Sequence, residues 1–308
     1  MPQAAQPIDN QPAGTIHEPV MGAEVVALLC ERRPLRIVDA TLGTGGHAAM
    51  LLESAPAGAC LLGLDRDAQA LALAAMRLER FGSRAILRHA NFAAIAQMVR
   101  EAGFSGVDAI VADLGMSSFA LDDPSRGFSF MREGPLDMRM DGDSNVRAYD
   151  LINEEPEAEL ARIIYEYGEE RGSRRIARAI VDARRRHPIE TTGELRALIE
   201  RAIGHRRGGG VHPATRTFQA LRIAVNDELE SLRALLEEAP RCLAPGGRMA
   251  VIAYHSLEDR MVKTRMRELA HQGDYTLITR KAMRPGPDEI ERNPRARSAR
   301  LRCLQRNP

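Results

Sequence analysis

The sequence predicts a doubly wound, Rossmann-like α/β domain interrupted by a helical insertion. Three observations carry that expectation. Short apolar runs recur about every 25 residues through the first half, Ala/Leu-rich helical patterns fill the gaps, and a glycine-rich turn follows the first run. Runs that are apolar throughout, with no alternation, suit strands covered on both faces, as in a parallel sheet flanked by helices.

Residues 1–15, MPQAAQPIDNQPAGT, are polar and Pro/Gln-rich with neither a basic start nor an apolar stretch, and read as a disordered leader rather than an export signal. Strands are then expected at 35–40 (LRIVDA), 59–65 (ACLLGLD), 84–90 (RAILRHA) and 107–114 (VDAIVADL), with helices between them. From about residue 120 the pattern turns charged and helix-periodic, broken by Gly and Pro, with no convincing strand. Residues 121–213 are therefore expected to form an inserted helical substrate-recognition domain. Residues 16–120 and 214–308 would make up one discontinuous domain around it. Phe218, Leu221, Val225, Leu229, Leu232 and Leu236 fall at three- and four-residue steps and predict one long amphipathic helix from Ala214 to Ala239. Further strands are expected at 246–256 (GGRMAVIAYHS), 275–281 (YTLITRK) and 300–306 (RLRCLQR), the last two as an antiparallel pair at a sheet edge.

Composition narrows the function. Hydrophobic residues make up 44% and charged residues 28% of the 308, and no window approaches the run of about 18 apolar residues that spans a bilayer. No membrane role is expected, and the cytoplasm is the expected compartment. Cys30, Cys60, Cys242 and Cys303 are scattered without a C-x-x-C pair, which argues against a zinc knuckle or a disulfide framework. The basic residues are nearly all arginine, with lysine only at Lys263 and Lys281. That bias suits phosphate forks, although a GC-rich genome would produce it too. Net charge is +1, yet residues 280–306 hold nine Arg and Lys against three acidic residues, a candidate phosphate-binding tail.

The strongest local signal is DATLGTGGH, Asp39 to His47, where the first strand gives way to a helix. Gly43, Gly45 and Gly46 allow a tight turn and close backbone approach. Ala48 stands where a dinucleotide fingerprint would have its third glycine, so G-x-G-x-x-G is not satisfied. Asp39 sharpens the choice, because a carboxylate at the strand tip repels a pyrophosphate but attracts the ammonium and sulfonium of S-adenosylmethionine. Asp65 ends the second strand and is placed to accept from both ribose hydroxyls. Asn91 and Phe92 follow the third strand and suit the edge and face of an adenine. Asp113 ends the fourth and points into the crevice where ligands bind in open α/β sheets.

Several polar motifs are hard to explain as packing: DLGMSS (Asp113 to Ser118), RGFSF (Arg126 to Phe130), GPLDMRMD (Gly134 to Asp141), HPATRTFQALRIAVNDEL (His212 to Leu229), YHSLEDR (Tyr254 to Arg260) and NPRARSARLR (Asn293 to Arg302). With HEPV at His17 to Val20, these ordered blocks resemble the bacterial MraW (RsmH) family, over about residues 16 to 306. The resemblance implies a class I methyltransferase sheet and N4-methylation of one cytosine in the decoding region of 16S rRNA, with S-adenosylmethionine as donor. It places cofactor contacts on Gly45, Gly46, His47, Asp65, Phe92 and Asp113. Three positions depart: the family commonly has Gln where this chain has Ala120, frequently Pro where it has Phe119, and more often Phe where it has Tyr254.

The cytosine N4 lone pair is delocalised into the ring, so catalysis needs acceptors that favour a tetrahedral nitrogen and align it with the donor methyl. Candidates are Asp113, Ser117 and Ser118, with Asp137 and His255 as more distant proton acceptors. No metal is needed. Carbon-5 attack would require a nucleophilic cysteine, commonly after proline, and no cysteine here follows one. RNA contacts are expected from Arg126, Arg139, His212, Arg216, Arg260, Arg295, Arg297 and Arg300, largely to phosphates. Partners are then 16S rRNA within the small ribosomal subunit, with a homodimer open. Two other readings stay open at this level: a methyltransferase acting on DNA or protein, and a helical RNA-binding module without catalysis.

Overall fold

The computed structural model describes residues 18–142, 144–204 and 212–308, the side chain of Ser118 excepted. The expected leader and His17 of HEPV lie outside the described residues.

Seven strands form one sheet: β1 (Arg36–Asp39), β2 (Cys60–Asp65), β3 (Ala85–His89), β4 (Val107–Asp113), β5 (Leu243–Ala253), β6 (Tyr275–Leu277) and β7 (Arg300–Arg306). Their order is β3-β2-β1-β4-β5-β7-β6. The first five pair in parallel, while β7 runs antiparallel to β5 and β6 antiparallel to β7. This is the doubly wound sheet and antiparallel edge that the sequence predicts. The order reverses between β1 and β4, so the crevice opens beyond their carboxyl ends, where Asp39 and Asp113 stand.

Helices cover both faces. On one side α1 (Gly22–Cys30), α2 (Gly46–Ser54) and α3 (Ala68–Leu78) pack Val25, Leu29, Leu51, Leu52 and Leu78 against Ile37, Leu61 and Val111. On the other, α4 (Ile95–Glu101) and residues 228–272 pack Ile95, Leu232, Leu235, Leu236, Val262 and Met266 against Val38, Leu62, Ile110 and Val251. The strand residues alternate between these two cores, which is why each strand reads as an unbroken apolar run.

The described residues between 118 and 226 build a third core. It gathers α5 (Ser118–Asp122), α6 (Ala148–Glu154), α7 (Glu157–Glu166), α8 (Ser173–Arg184), α9 (Thr192–Ile203) and α10 (Pro213–Asn226) around Ile152, Leu160, Ile164, Ile176, Ile180, Leu195 and Phe218. Thr191 and Glu194 form a capping box at the start of α9, a reciprocal pair that contributes about 1 kcal/mol.

Three expectations are corrected. The single helix from Ala214 to Ala239 is two, α10 and α11 (Glu228–Cys242), broken at Asp227, whose φ is 49°. Asn226 enforces the break: its side chain accepts from the Met140 amide at 2.8 Å and donates to the Met138 carbonyl at 2.7 Å. Phe218, Leu221 and Val225 thus join the helical core, and Leu232 and Leu236 the sheet. The strand expected through residue 256 ends at Ala253, because Glu258 in α12 (Ser256–Gln272) accepts from the amides of Tyr254 and His255. The strand expected at 275–281 stops at Leu277, where the amides of Ile278 and Thr279 both turn onto the Cys303 carbonyl.

Candidate active site

A cavity of about 480 Å³ lies at the carboxyl ends of β1, β2, β4 and β5, between the sheet and the helical core. Its sheet side is the segment after β1. Gly43 (φ 53°) and Gly45 (φ 79°) adopt left-handed conformations, and Gly45 opens α2. Gly46 packs against Pro19, and the ring of His47 reaches the Val20 carbonyl at 2.9 Å.

Three carboxylates crowd this end. Asp39 is 1% exposed; its Oδ1 accepts from the Thr41 amide at 3.2 Å, and its Oδ2 meets no donor among the described residues. Burial pushes its carboxyl up to about 6, against the pull of His47. Asp65 accepts from the Gly43 amide at 2.6 Å and the Asp67 amide at 2.8 Å, and burial raises it too. Asp113 follows the same direction for the same reason, with His47 Nδ1 at 3.9 Å from its Oδ2 and the Tyr254 hydroxyl donating to it. The Thr41 hydroxyl accepts from the Asp113 amide at 2.6 Å and fixes the strand end. One buried carboxylate with an unmet oxygen beside two half-buried ones favours a cationic ligand carrying hydroxyls, so the residues present fit S-adenosylmethionine.

Opposite lies a second polar group. Arg222 forks onto Glu228 at 2.7 and 2.8 Å across the α10–α11 break. Ligand atoms of Glu228, His255 and Glu258 lie within 4.8 Å of one another. His255 Nε2 is 2.9 Å from Glu258 Oε1 but off the hydrogen-bonding direction, leaving a buried nitrogen with no hydrogen bond among the described residues. Arg222 already neutralises Glu228, which leaves this group less negative charge with which to hold a cation.

Residues 14–307 match the sequence profile of the MraW methylase family. The chain belongs to that family. The ribosomal RNA small subunit methyltransferase H of Sorangium cellulosum is 50% identical over 306 residues, covering 99% of this chain and 96% of that one. The same-named proteins of Syntrophobacter fumaroxidans and Pelobacter propionicus are 47% and 49% identical, covering 94% and 96% of this chain and 96% and 99% of their own.

In this MraW methylase, Gly43, Gly46, His47, Asp65, Phe92, Asp113, Ser117, His255 and Arg295 all line the cavity. Asp39 and Gly45 are not among the lining residues. Asn91 caps the turn after β3 and donates to Ser231 at 3.0 Å, which ties that turn to α11. Ser118 opens α5, its side chain being outside the described residues.

Asp137 does not reach the cavity. It grips Arg139 through two hydrogen bonds at 2.9 and 2.8 Å; burial alone would raise its carboxyl, but Arg139 holds it below the usual range. Arg126 is an internal strut, paired with Asp67 and donating to the Arg139 and Met140 carbonyls. With Asn226, these two arginines lock the 124–142 loop between the sheet and the helical core. His212 caps α10 and stacks on Phe130 at 4.7 Å. Arg216 pairs with Glu170, Arg260 with Glu169, Arg295 with Asp122 at the cavity mouth and Arg300 with Asp259. Arg297 is exposed.

Sequence reasoning missed Thr41, Arg222, Glu228 and Glu258 as site residues. The last three sit inside the long polar motifs, which is the signal that could have found them. Ala120 is buried in the helical core and lines the cavity without a polar atom.

Proposed function

We propose that this methylase transfers a methyl group from S-adenosylmethionine to N4 of one cytosine in the decoding region of 16S rRNA. The supporting observation is the cavity at the β1–β4 switch point, where a glycine turn and the half-buried carboxylates of Asp65 and Asp113 face the Tyr254–His255–Glu258–Glu228 wall, with the buried Asp39 at the end of β1 beside them. The names of the relatives support ribosomal RNA as the substrate class.

S-adenosylmethionine supplies an electrophilic methyl group on a sulfonium. Asp39 and Asp113 favour the positive charges, Asp65 accepts from the ribose hydroxyls, and Phe92 offers a face to the adenine. Asp113, raised by desolvation and held by Tyr254, is suited to accept a hydrogen bond from the exocyclic amine and then its proton. The Ser117 hydroxyl lines the same wall and can accept from the amine's second hydrogen. Attack at nitrogen is favoured over carbon 5 because none of the four cysteines lines the cavity, and burial raises the thiols of Cys30, Cys242 and Cys303.

Transfer of labelled methyl to small ribosomal subunits from cells lacking the modification tests the proposal. Label in the 16S RNA supports it, and label confined to protein contradicts it.

A pH dependence follows from Asp39. Its carboxyl sits near 6 in the free protein and falls when a cation binds, so binding releases a proton below pH 6. Calorimetric affinity for S-adenosylmethionine should be level above pH 7 and fall by up to about tenfold per pH unit below 6. A flat profile between pH 5 and 7 would remove Asp39 from the cation site.

A further inference from the structure

Away from the reaction cavity, α12 and the edge strands frame a shallow notch of about 10 Å³, lined by Lys263, Met266, Arg267, Leu277, Thr279, Arg280 and Arg302. It shares no residue with the cavity. Four cationic side chains converge there. Arg302 is tied to Asp259 at 2.8 Å, whereas Lys263, Arg267 and Arg280 have no ion pair among the described residues.

The positive charge continues along the chain. Lys281 and Arg284 are exposed and equally unpaired, and Met283 between them is bridged to Leu301 of β7, which holds this segment along the sheet edge. The acidic residues of the tail are gathered farther on, at Asp288, Glu289 and Glu291 in α13 (Pro287–Arg292), and Glu289 is spent on the Met21 amide. The chain then returns to the cavity mouth at Asn293, Arg295 and Ser298. Helix α12 links the two places directly. Glu258 faces the cavity and Arg267 the notch, nine residues or about 14 Å along the helix axis.

From this arrangement we infer that Lys263, Arg267, Arg280, Lys281 and Arg284 form a docking surface for the phosphodiester backbone of the RNA whose base enters the cavity. The inference rests on the function proposed above and deepens it. A notch this small admits no more than a water or one phosphate oxygen, and unpaired cations strung along an edge match a chain of phosphates better than a single anion. The surface anchors without reading sequence, because it offers charge and no base-sized pocket. It also moves the expected phosphate contacts of the tail from Arg295 and Arg300, which are held by Asp122 and Asp259, to the segment before them.

The test compares two variants with the same loss of charge. Arg267→Gln with Arg280→Gln alters the notch. Arg32→Gln with Arg33→Gln alters exposed arginines at the opposite, amino end of β1. Binding to small ribosomal subunits is measured across salt concentrations, with S-adenosylmethionine affinity as the check on folding. The notch variant should bind on the order of tenfold more weakly at low salt and flatten the log–log salt slope by about 1.5, with cofactor affinity unchanged and the control like the parent protein. A notch variant with the parental slope, or a control that flattens equally, overturns the docking surface while leaving the proposed function standing. A parent protein that neither binds nor methylates the subunits overturns both.

Discussion

Asp113→Ala is expected to reduce methyl transfer by on the order of a thousandfold while the protein stays folded. The carboxylate stands at the carboxyl end of β4, where the Thr41 hydroxyl holds the Asp113 amide, and is itself bracketed by the Gly115 amide at 3.0 Å, the Tyr254 hydroxyl and, at 3.9 Å, His47. All these contacts orient one acceptor toward the cavity. Asp113→Asn separates charge from shape. It keeps the backbone contacts but cannot take a proton, so its transfer rate should fall nearly as far as that of the alanine variant. Single-turnover kinetics with saturating donor would show this, and turnover close to that of the parent in either variant removes Asp113 from the chemistry.

The second large effect is structural. Gly127 has φ 69°, and a Cβ there would lie 2.0 Å from the Pro135 carbonyl oxygen and 3.0 Å from the Asp137 amide. Both obstacles are backbone, so neither can swing aside. Gly127→Ala should cost about 3 kcal/mol or more in urea unfolding. Gly142→Ala, in the same loop but with nothing among the described residues within 4 Å of the added carbon, should be close to neutral. If Gly127→Ala were as stable as the parent, the tight crossing of 124–127 against 134–137 would not exist as described. The pair of variants also separates two readings of the RGFSF and GPLDMRMD motifs, since a loop kept for RNA contact would tolerate the methyl group.

The sheet was legible because its signals are local. Each parallel strand is a short run buried on both sides, and the carboxylates of Asp39, Asp65 and Asp113 sit where those runs stop. What was not legible depends on distant partners. The 3–4 spacing from Val225 to Leu229 and Leu232 continues unbroken across Asp227, yet the two halves face different cores because Asn226 binds the 138–140 segment. Arg126 looks like a free cation in sequence, but its partner Asp67 lies 59 residues away. Arg222 and Glu228 are six apart, a spacing that does not put two residues on one helical face, and only the left-handed Asp227 brings them together. Tyr254 exchanges the family's common Phe for another aromatic ring. In the fold its hydroxyl reaches Asp113, an interaction that Tyr254→Phe would remove.

The most direct test of the central claim is to digest the RNA of small ribosomal subunits after incubation with the protein and S-adenosylmethionine, and to identify the modified nucleoside by mass spectrometry. N4-methylcytidine at one site in the decoding region is the predicted result. A methyl group on carbon 5 or on a ribose oxygen would contradict the assignment of Asp113 as acceptor for an exocyclic amine, and one on another base would contradict cytosine as the substrate.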